Sequence, residues 1–155
     1  MIRWLTFQLF EKILVPLDGS NQSKLALDKA IQIAKKLHGK ITLIHVFSVS
    51  TFAITPVQTH KYEEFMSSNY VQAMREYAES FLSDGKKKAE EEGVQVETLM
   101  VDGHVVEEIL KAARAGDFSL IVIGSRGLST LKELLMGSVS DGVTKHAPCP
   151  VLVVR

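Results

Sequence analysis

Residues 120–127 read LIVIGSRG, and a third glycine, in Gly137-Ser138, follows after nine intervening residues. Four apolar residues in succession, three of them β-branched, suit a strand buried on both faces, as parallel sheets require. The glycines that follow let backbone N–H groups approach an anion closely. Gly137-Ser138 then opens a stretch with helical spacing. A helix N-terminus offers unpaired N–H donors and the positive end of the helix dipole. Strand, glycine-rich loop and helix together make an α/β unit with a phosphate cradle in principle. Ordinary turns and an N-capped helix account for the same residues equally well. The loop matches neither G-x-x-x-x-G-K-[ST] nor G-x-G-x-x-G.

Four further apolar runs flank this unit, at residues 13–17, 41–46, 94–101 and 151–154. The third alternates, with Val94, Val96 and Thr98 against Gln95 and Glu97, and reads as a more exposed edge strand. Between the runs the period becomes helical. Ala26, Ala30, Ile33, Ala34 and Leu37 form one apolar face; Tyr70, Met74, Tyr77, Ala78 and Phe81 a second; Val106, Ile109, Leu110 and Ala113 a third; Val139, Val143 and Ala147 a short fourth. Gly39 and Gly93 mark helix ends, and Pro148 and Pro150 stop the last helix. The charge run DGKKKAEEE at 84–92 reads as a solvated helix end. The order β-α-β-α-β-α-β-α-β predicts a parallel sheet with helices on both faces and right-handed crossovers. The fold class is α/β, a single doubly wound domain.

The chain has 18 Lys+Arg and 18 Asp+Glu, a formal net charge of zero. That balance argues against a nucleic-acid partner, which demands clustered basic residues. Its 155 residues suit one domain with a real core. No run reaches the roughly 18 apolar residues of a membrane span, and the first ten residues lack the apolar block of a secretory signal. One cysteine, Cys149, forbids an intrachain disulfide framework. The expected location is the cytoplasm.

Doubly wound sheets bind ligands beyond the carboxyl ends of their strands, where the strand order reverses. The loop after the first run reads PLDGS, with Asp18 where the strand ends. A carboxylate there suits a ribose hydroxyl; it equally suits a turn or helix cap. In a strand order of 3-2-1-4-5 the first and fourth strands are neighbours. Asp18 and the Gly124 loop then face one crevice.

With ILVPLDGS (13–20), ITLIHV (41–46), LIVIGSRG (120–127) and GSVSDGVTKHAPCPVLVV (137–154), the chain resembles the universal stress protein family over residues 12–155. The pattern G-x2-G-x9-G-[ST] is complete in Gly124, Gly127, Gly137 and Ser138, which places the resemblance in the ATP-binding branch. The resemblance implies a five-stranded parallel sheet of order 3-2-1-4-5, like that of adenine nucleotide α-hydrolases. It also implies roles. Asp18 holds the ribose. Pro16 and the backbone of Val46 bracket the adenine, and Ile123 and Gly124 pack near base and ribose. The backbones of Ser125, Arg126, Gly127, Gly137, Ser138 and Val139 surround the phosphates, with hydroxyls from Ser138 and Ser140. ATP is the implied ligand, with AMP and ADP as alternatives and Mg²⁺ beside the phosphates. The resemblance further implies a homodimer through the last strand, residues 151–154.

Residues 1–11 form an N-terminal extension in which Leu5, Phe7 and Leu9 alternate with Thr6 and Gln8. An added strand, a partner contact and a loose tail are all open. Residues 48–69 lie in a stretch that varies within the family; Phe52, Tyr62 and Phe65 there read as a lid or as packing. No zinc-site spacing links the five histidines. His45 reads as a satisfied core residue, His104 as a cap, and Cys149 as structural. Efficient phosphoryl transfer needs a general base or a water-orienting group, and none is nominated. The expected function is a nucleotide-dependent switch or adaptor in stress response, with at most slow ATP hydrolysis. A nucleotide hydrolase or transferase, and an adaptor with vestigial nucleotide, are the alternatives.

Overall fold

The computed structural model describes residues 9–48, 69–128 and 136–155. Five strands pair in parallel: β1 (Lys12–Pro16), β2 (Lys40–Phe47), β3 (Val96–Asp102), β4 (Leu120–Gly124) and β5 (Val151–Val154). Their order is β3-β2-β1-β4-β5, as expected. Four helices join them: α1 (Asn21–Leu37), α2 (Asn69–Glu91), α3 (Val105–Ala115) and α4 (Ser138–His146). The tail residues 1–8, the segment 49–68 with Phe52, Tyr62 and Phe65, and residues 129–135 lie outside the described residues.

The pleat divides the core in two. Ile13, Val15, Ile41, Leu43 and Val122 face α1 and α2. Leu14, Ile44, Ile121 and Ile123 face α3 and α4. The central strands β1 and β4 are buried throughout their apolar residues, which is why their sequences do not alternate. Each fully buried Ile or Leu contributes about 1.5–3 kcal/mol against exposure. β3 is an edge strand with Glu97, Thr98 and Leu99 exposed. It begins at Val96 rather than at Val94, which is buried ahead of the ladder.

Two helical faces are rotated from their sequence reading. On α1 the buried set is Ser23, Ala26, Leu27, Ala30, Ile31 and Ala34, while Ile33 and Leu37 are half-buried. On α2 the inner face is Val71, Ala78, Phe81, Leu82, Gly85 and Ala89, with Met74 and Tyr77 largely exposed. A bare glycine makes this packing possible. A Cβ on Gly85 would lie 3.0 Å from Leu27 Cδ2 and 3.1 Å from Leu43 Cδ1. The charged run at 84–92 is solvated outside, with Lys86–Glu90 and Lys87–Glu91 at helical spacing. It also ties α2 to α1 through Lys35–Glu92 and Lys88–Asp28. The Lys35 ammonium holds the Glu92 carboxyl below its usual range. Such exposed pairs contribute little to stability.

α1 ends on His38, which itself takes the left-handed conformation at φ 55°. The stop is therefore His38 and not Gly39. Gly39 is needed for a different reason: the Phe10 carbonyl oxygen occupies the place of its Cβ. Gly93, at φ 77°, does close the charged helix end as expected.

Candidate functional site

The carboxyl ends of β1, β2 and β4 open into one cleft of about 510 Å³, flanked by α3 and by the start of α4. The strand order requires this. β1 lies between β2 and β4, with one crossover on each side, so its carboxyl end is the reversal point. On the β2 side the wall is apolar: Pro16, Ile44, Val46, Val105 and Ile109. On the β4 side it is glycine-rich and polar: Gly124, Arg126, Gly127, Gly137, Ser138 and Val139. Asp18 and Ile123 stand between them, on the two central strands or their ends.

Asp18 follows β1 in a tight turn. Its Oδ1 accepts from the Ser20 N–H at 3.0 Å. The residue that caps α1 is Ser20, whose Oγ accepts from the Ser23 N–H at 3.2 Å. Asp18 is thus a turn residue with its second oxygen left for other work. That oxygen, Oδ2, stands where a Cβ on Gly127 would be.

The glycines after β4 each answer a specific neighbour. A Cβ on Gly124 would come within 2.8 Å of the Gln22 carbonyl carbon, so the first turn of α1 crosses directly over it. Gly137 caps α4 in extended conformation. Its N–H donates to the Ser125 carbonyl at 2.8 Å, and the Ser140 hydroxyl shares its proton between that oxygen (2.8 Å) and the Gly137 carbonyl (2.9 Å). The end of β4 is thereby fastened to the start of α4 across the intervening loop. The first intrahelical bond of α4 runs from the Asp141 N–H to the Gly137 carbonyl. The amides of Ser138, Val139 and Ser140 precede it, in the positions that a helix leaves without internal acceptors.

Eleven of the twelve residues singled out from the sequence line the cleft: Pro16, Asp18, Val46, Ile123, Gly124, Arg126, Gly127, Gly137, Ser138, Val139 and Ser140. Ser125 does not. It is buried at 4% exposure, and among the described residues its Oγ has no hydrogen-bond partner. The Ser140 hydroxyl is engaged with backbone carbonyls, so its part is to hold the loop. The sequence reading missed Leu17, Ser23, Ile44, His45, Val105, Ile109 and Leu128 as lining residues. Val105 and Ile109 carried a signal, four residues apart on the inner face of α3, but that spacing also describes plain core.

His45 is half-buried and bonded to the Leu17 carbonyl at 2.7 Å, so it is a satisfied histidine, and its position also borders the cleft. His104 occupies the N-cap of α3 without a side-chain capping bond. Burial pushes the Cys149 thiol above its usual range. Among the described residues no group of three or more His, Cys, Asp or Glu side chains is placed to hold a metal ion. Also among the described residues, no helix is long and apolar enough to cross a membrane.

Comparison with known proteins agrees with this architecture. The family model for the universal stress protein family matches residues 9–155. Universal stress protein YxiE of Bacillus subtilis is 40% identical over 150 residues, covering 95% of this chain and all of the relative. The solved structure of the hypothetical protein MJ0577 superposes with a TM-score of 0.81 at 32% identity, covering 94% of this chain and 96% of that one. A universal stress protein solved in complex with cAMP superposes at 0.65 with 26% identity, covering 95% and 98%. The family match spans both the glycine loop and the Asp18 turn, and the chain belongs to the universal stress protein family.

Proposed function

We propose that the cleft binds an adenine nucleotide, ATP in the first place, and that the protein acts in the cytoplasm as a nucleotide-dependent switch or adaptor in stress response. The observation that carries this reading is the pairing of two unlike walls at the reversal point of the sheet. The apolar wall of Pro16, Ile44, Val46, Val105 and Ile109 suits a flat base. The opposite wall offers the amides at the start of α4 and the backbone around Gly127, which suit phosphate oxygens. Asp18 lies between the two, where a ribose joins base to phosphate. Arg126 borders the phosphate side and adds a cation there. The relative solved with cAMP supports an adenine nucleotide as the ligand class.

The net charge of zero gives no long-range field to draw phosphate in. Binding then rests on local donors. Mg²⁺, where it accompanies ATP, is held chiefly by the phosphates. Asp18 accepts from the Ser20 amide and packs on Gly127, which suits a hydrogen-bond acceptor for the ribose. With no general base nominated, hydrolysis is at most slow.

The test is direct. Freshly purified protein is denatured and the supernatant is assayed for adenine nucleotide. ATP with Mg²⁺ is then titrated calorimetrically into stripped protein. Retained nucleotide and saturable ATP binding are expected, with less nucleotide retained and weaker ATP binding in Asp18→Ala. Absence of both in the unmodified protein overturns the reading.

A further inference from the structure

We propose that His45 is a positioning residue that fixes Asp18 for the ribose and thereby sets selectivity for ribonucleotides over deoxyribonucleotides. The inference rests on the nucleotide reading above. It begins with strand parity. Ile44 and Val46 face α3 and the apolar wall, while His45 shares the other face with Ile41 and Leu43. Its ring therefore lies behind the β1–α1 turn, on the side of α2. Its Nδ1 stands 2.7 Å from the Leu17 carbonyl oxygen. A carbonyl only accepts, so Nδ1 carries the proton and donates. The Leu17 N–H in turn donates to the Ile44 carbonyl at 2.8 Å. Both backbone polar groups of the residue before Asp18 are thus held by β2.

The residue after Asp18 is held as well. Gly19 takes φ +83°, and a Cβ there would lie 3.1 Å from Phe81 Cδ1 and 3.2 Å from the Tyr77 hydroxyl oxygen. Phe81 packs edge-on against both rings, 5.1 Å from His45 and 5.5 Å from Tyr77 between centroids. Three rings thus form a continuous buttress from β2 to the turn. Asp18 sits between two clamped neighbours, with Oδ1 fixed by Ser20 and Oδ2 packed on Gly127. An acceptor so held keeps its direction without help from the ligand, which is what discrimination by a single hydroxyl requires. The buttress also accounts for Tyr77, which is largely exposed on α2 yet touches the turn.

The full chain, stripped of nucleotide, is titrated with ATP, 2′-deoxy-ATP and 3′-deoxy-ATP. The unmodified protein is expected to favour ATP over at least one deoxy analogue. His45→Leu keeps the bulk and removes the donor. It is expected to weaken ATP about tenfold, the worth of one positioned hydrogen bond, and to leave the affected deoxy analogue nearly unchanged. The selectivity ratio then collapses. His45→Asn returns an amide donor near the Nδ1 position and restores the ratio. General loosening of the fold lowers all three affinities together. A His45→Leu protein that keeps the selectivity of the parent overturns the proposal, as does an Asn variant no better than the Leu variant. If the Leu variant does not fold, Phe81→Leu tests the same buttress through the same ratio. Failure of the unmodified protein to bind any of the three overturns the nucleotide reading itself; binding without a changed ratio overturns only the role of His45.

Discussion

The carboxylate of Asp18 occupies the space that a side chain on Gly127 would need; its Oδ2 is the atom nearest to that missing Cβ. Two loops far apart in sequence are thereby interlocked at the mouth of the cleft. Gly127 is exposed, and among the described residues only Asp18 crowds it within 4 Å. The glycine is required by the acid.

Gly127→Ala therefore acts on ligand binding more than on stability. The added methyl displaces the carboxylate, and a fall in ATP affinity of about tenfold is expected, equivalent to roughly 1.4 kcal/mol. The melting temperature should stay close to that of the parent. In an Asp18→Ala background the same substitution should cost almost nothing further, because the group it displaces is gone. Calorimetric titration of the four proteins gives the coupling directly. Additive losses would mean that the two residues act separately.

Gly124→Ala is a stability mutant. Its Cβ would meet the Gln22 backbone, with the carbonyl carbon at 2.8 Å and the oxygen at 2.9 Å, and backbone yields less readily than a side-chain tip. Overpacking of this kind costs about 1–3 kcal/mol. For a chain of this size that lowers the melting temperature by roughly 2–12 °C. Gly93→Ala supplies the contrast. Among the described residues nothing lies within 4 Å of its Cβ, but φ is +77°, so the cost is the left-handed strain, about 1–2 kcal/mol. Thermal melts should show both losses, and only Gly124→Ala should also disturb nucleotide binding.

Cys149 gives a pH prediction. Burial raises its pKa, so the folded protein holds the thiol proton to higher pH than the unfolded chain does. The stability this contributes is complete below the ordinary thiol value of about 8.5. It is lost as pH rises through the higher folded value. Alkylation of the native protein should lag behind that of the denatured protein at pH 8.5 and catch up only at higher pH. Cys149→Ala should flatten part of the alkaline decline seen in denaturant melts. Equal alkylation rates in the two states would remove the basis for both.

The alternation of strands and helices was legible because continuous apolar runs are separated by helical periods; the strand order β3-β2-β1-β4-β5, which places the cleft, was implied by the family resemblance and not by the runs. The glycine positions were legible for the same reason: Gly124 ends a strand and Gly137 opens a helix. The helix faces were less so. Met74 and Tyr77 satisfy the spacing that Val71, Ala78 and Leu82 also satisfy, and only the bare Gly85 against Leu27 and Leu43 decides which row turns inward. A glycine scores as no hydrophobe, so the deciding residue was invisible to an apolar count. His45 was read as a satisfied core residue; its bond to Leu17 satisfies it, but it is half-buried and borders the cleft. Its place behind Asp18 was not readable, because that depends on α2 crossing the β1–α1 turn, a contact distant in sequence. Val105 and Ile109 were hidden among core residues, since a base-sized cleft and a core use the same side chains.

The edge strand β5 supports a last prediction, on the homodimer through Val151–Val154 that the family resemblance implies. The carbonyls of Pro150 and Val154 accept from the Ile121 and Ser125 amides of β4. In a parallel ladder alternate residues serve one neighbour, so Leu152 also turns its backbone to β4, while Val151 and Val153 present theirs outward. Leu152 leaves its side chain 38% exposed at this edge. An apolar edge with free N–H and C=O groups invites a second copy. Val153→Pro removes one outward N–H and leaves the β4 ladder intact, since proline is tolerated where its missing donor faces solvent. Sedimentation should show the parent as a dimer and this variant as a monomer with an unchanged far-UV spectrum. Leu152→Pro breaks the inner ladder instead and should cost stability whatever the assembly. A Val153→Pro protein that remains dimeric would place the dimer contact elsewhere on the surface.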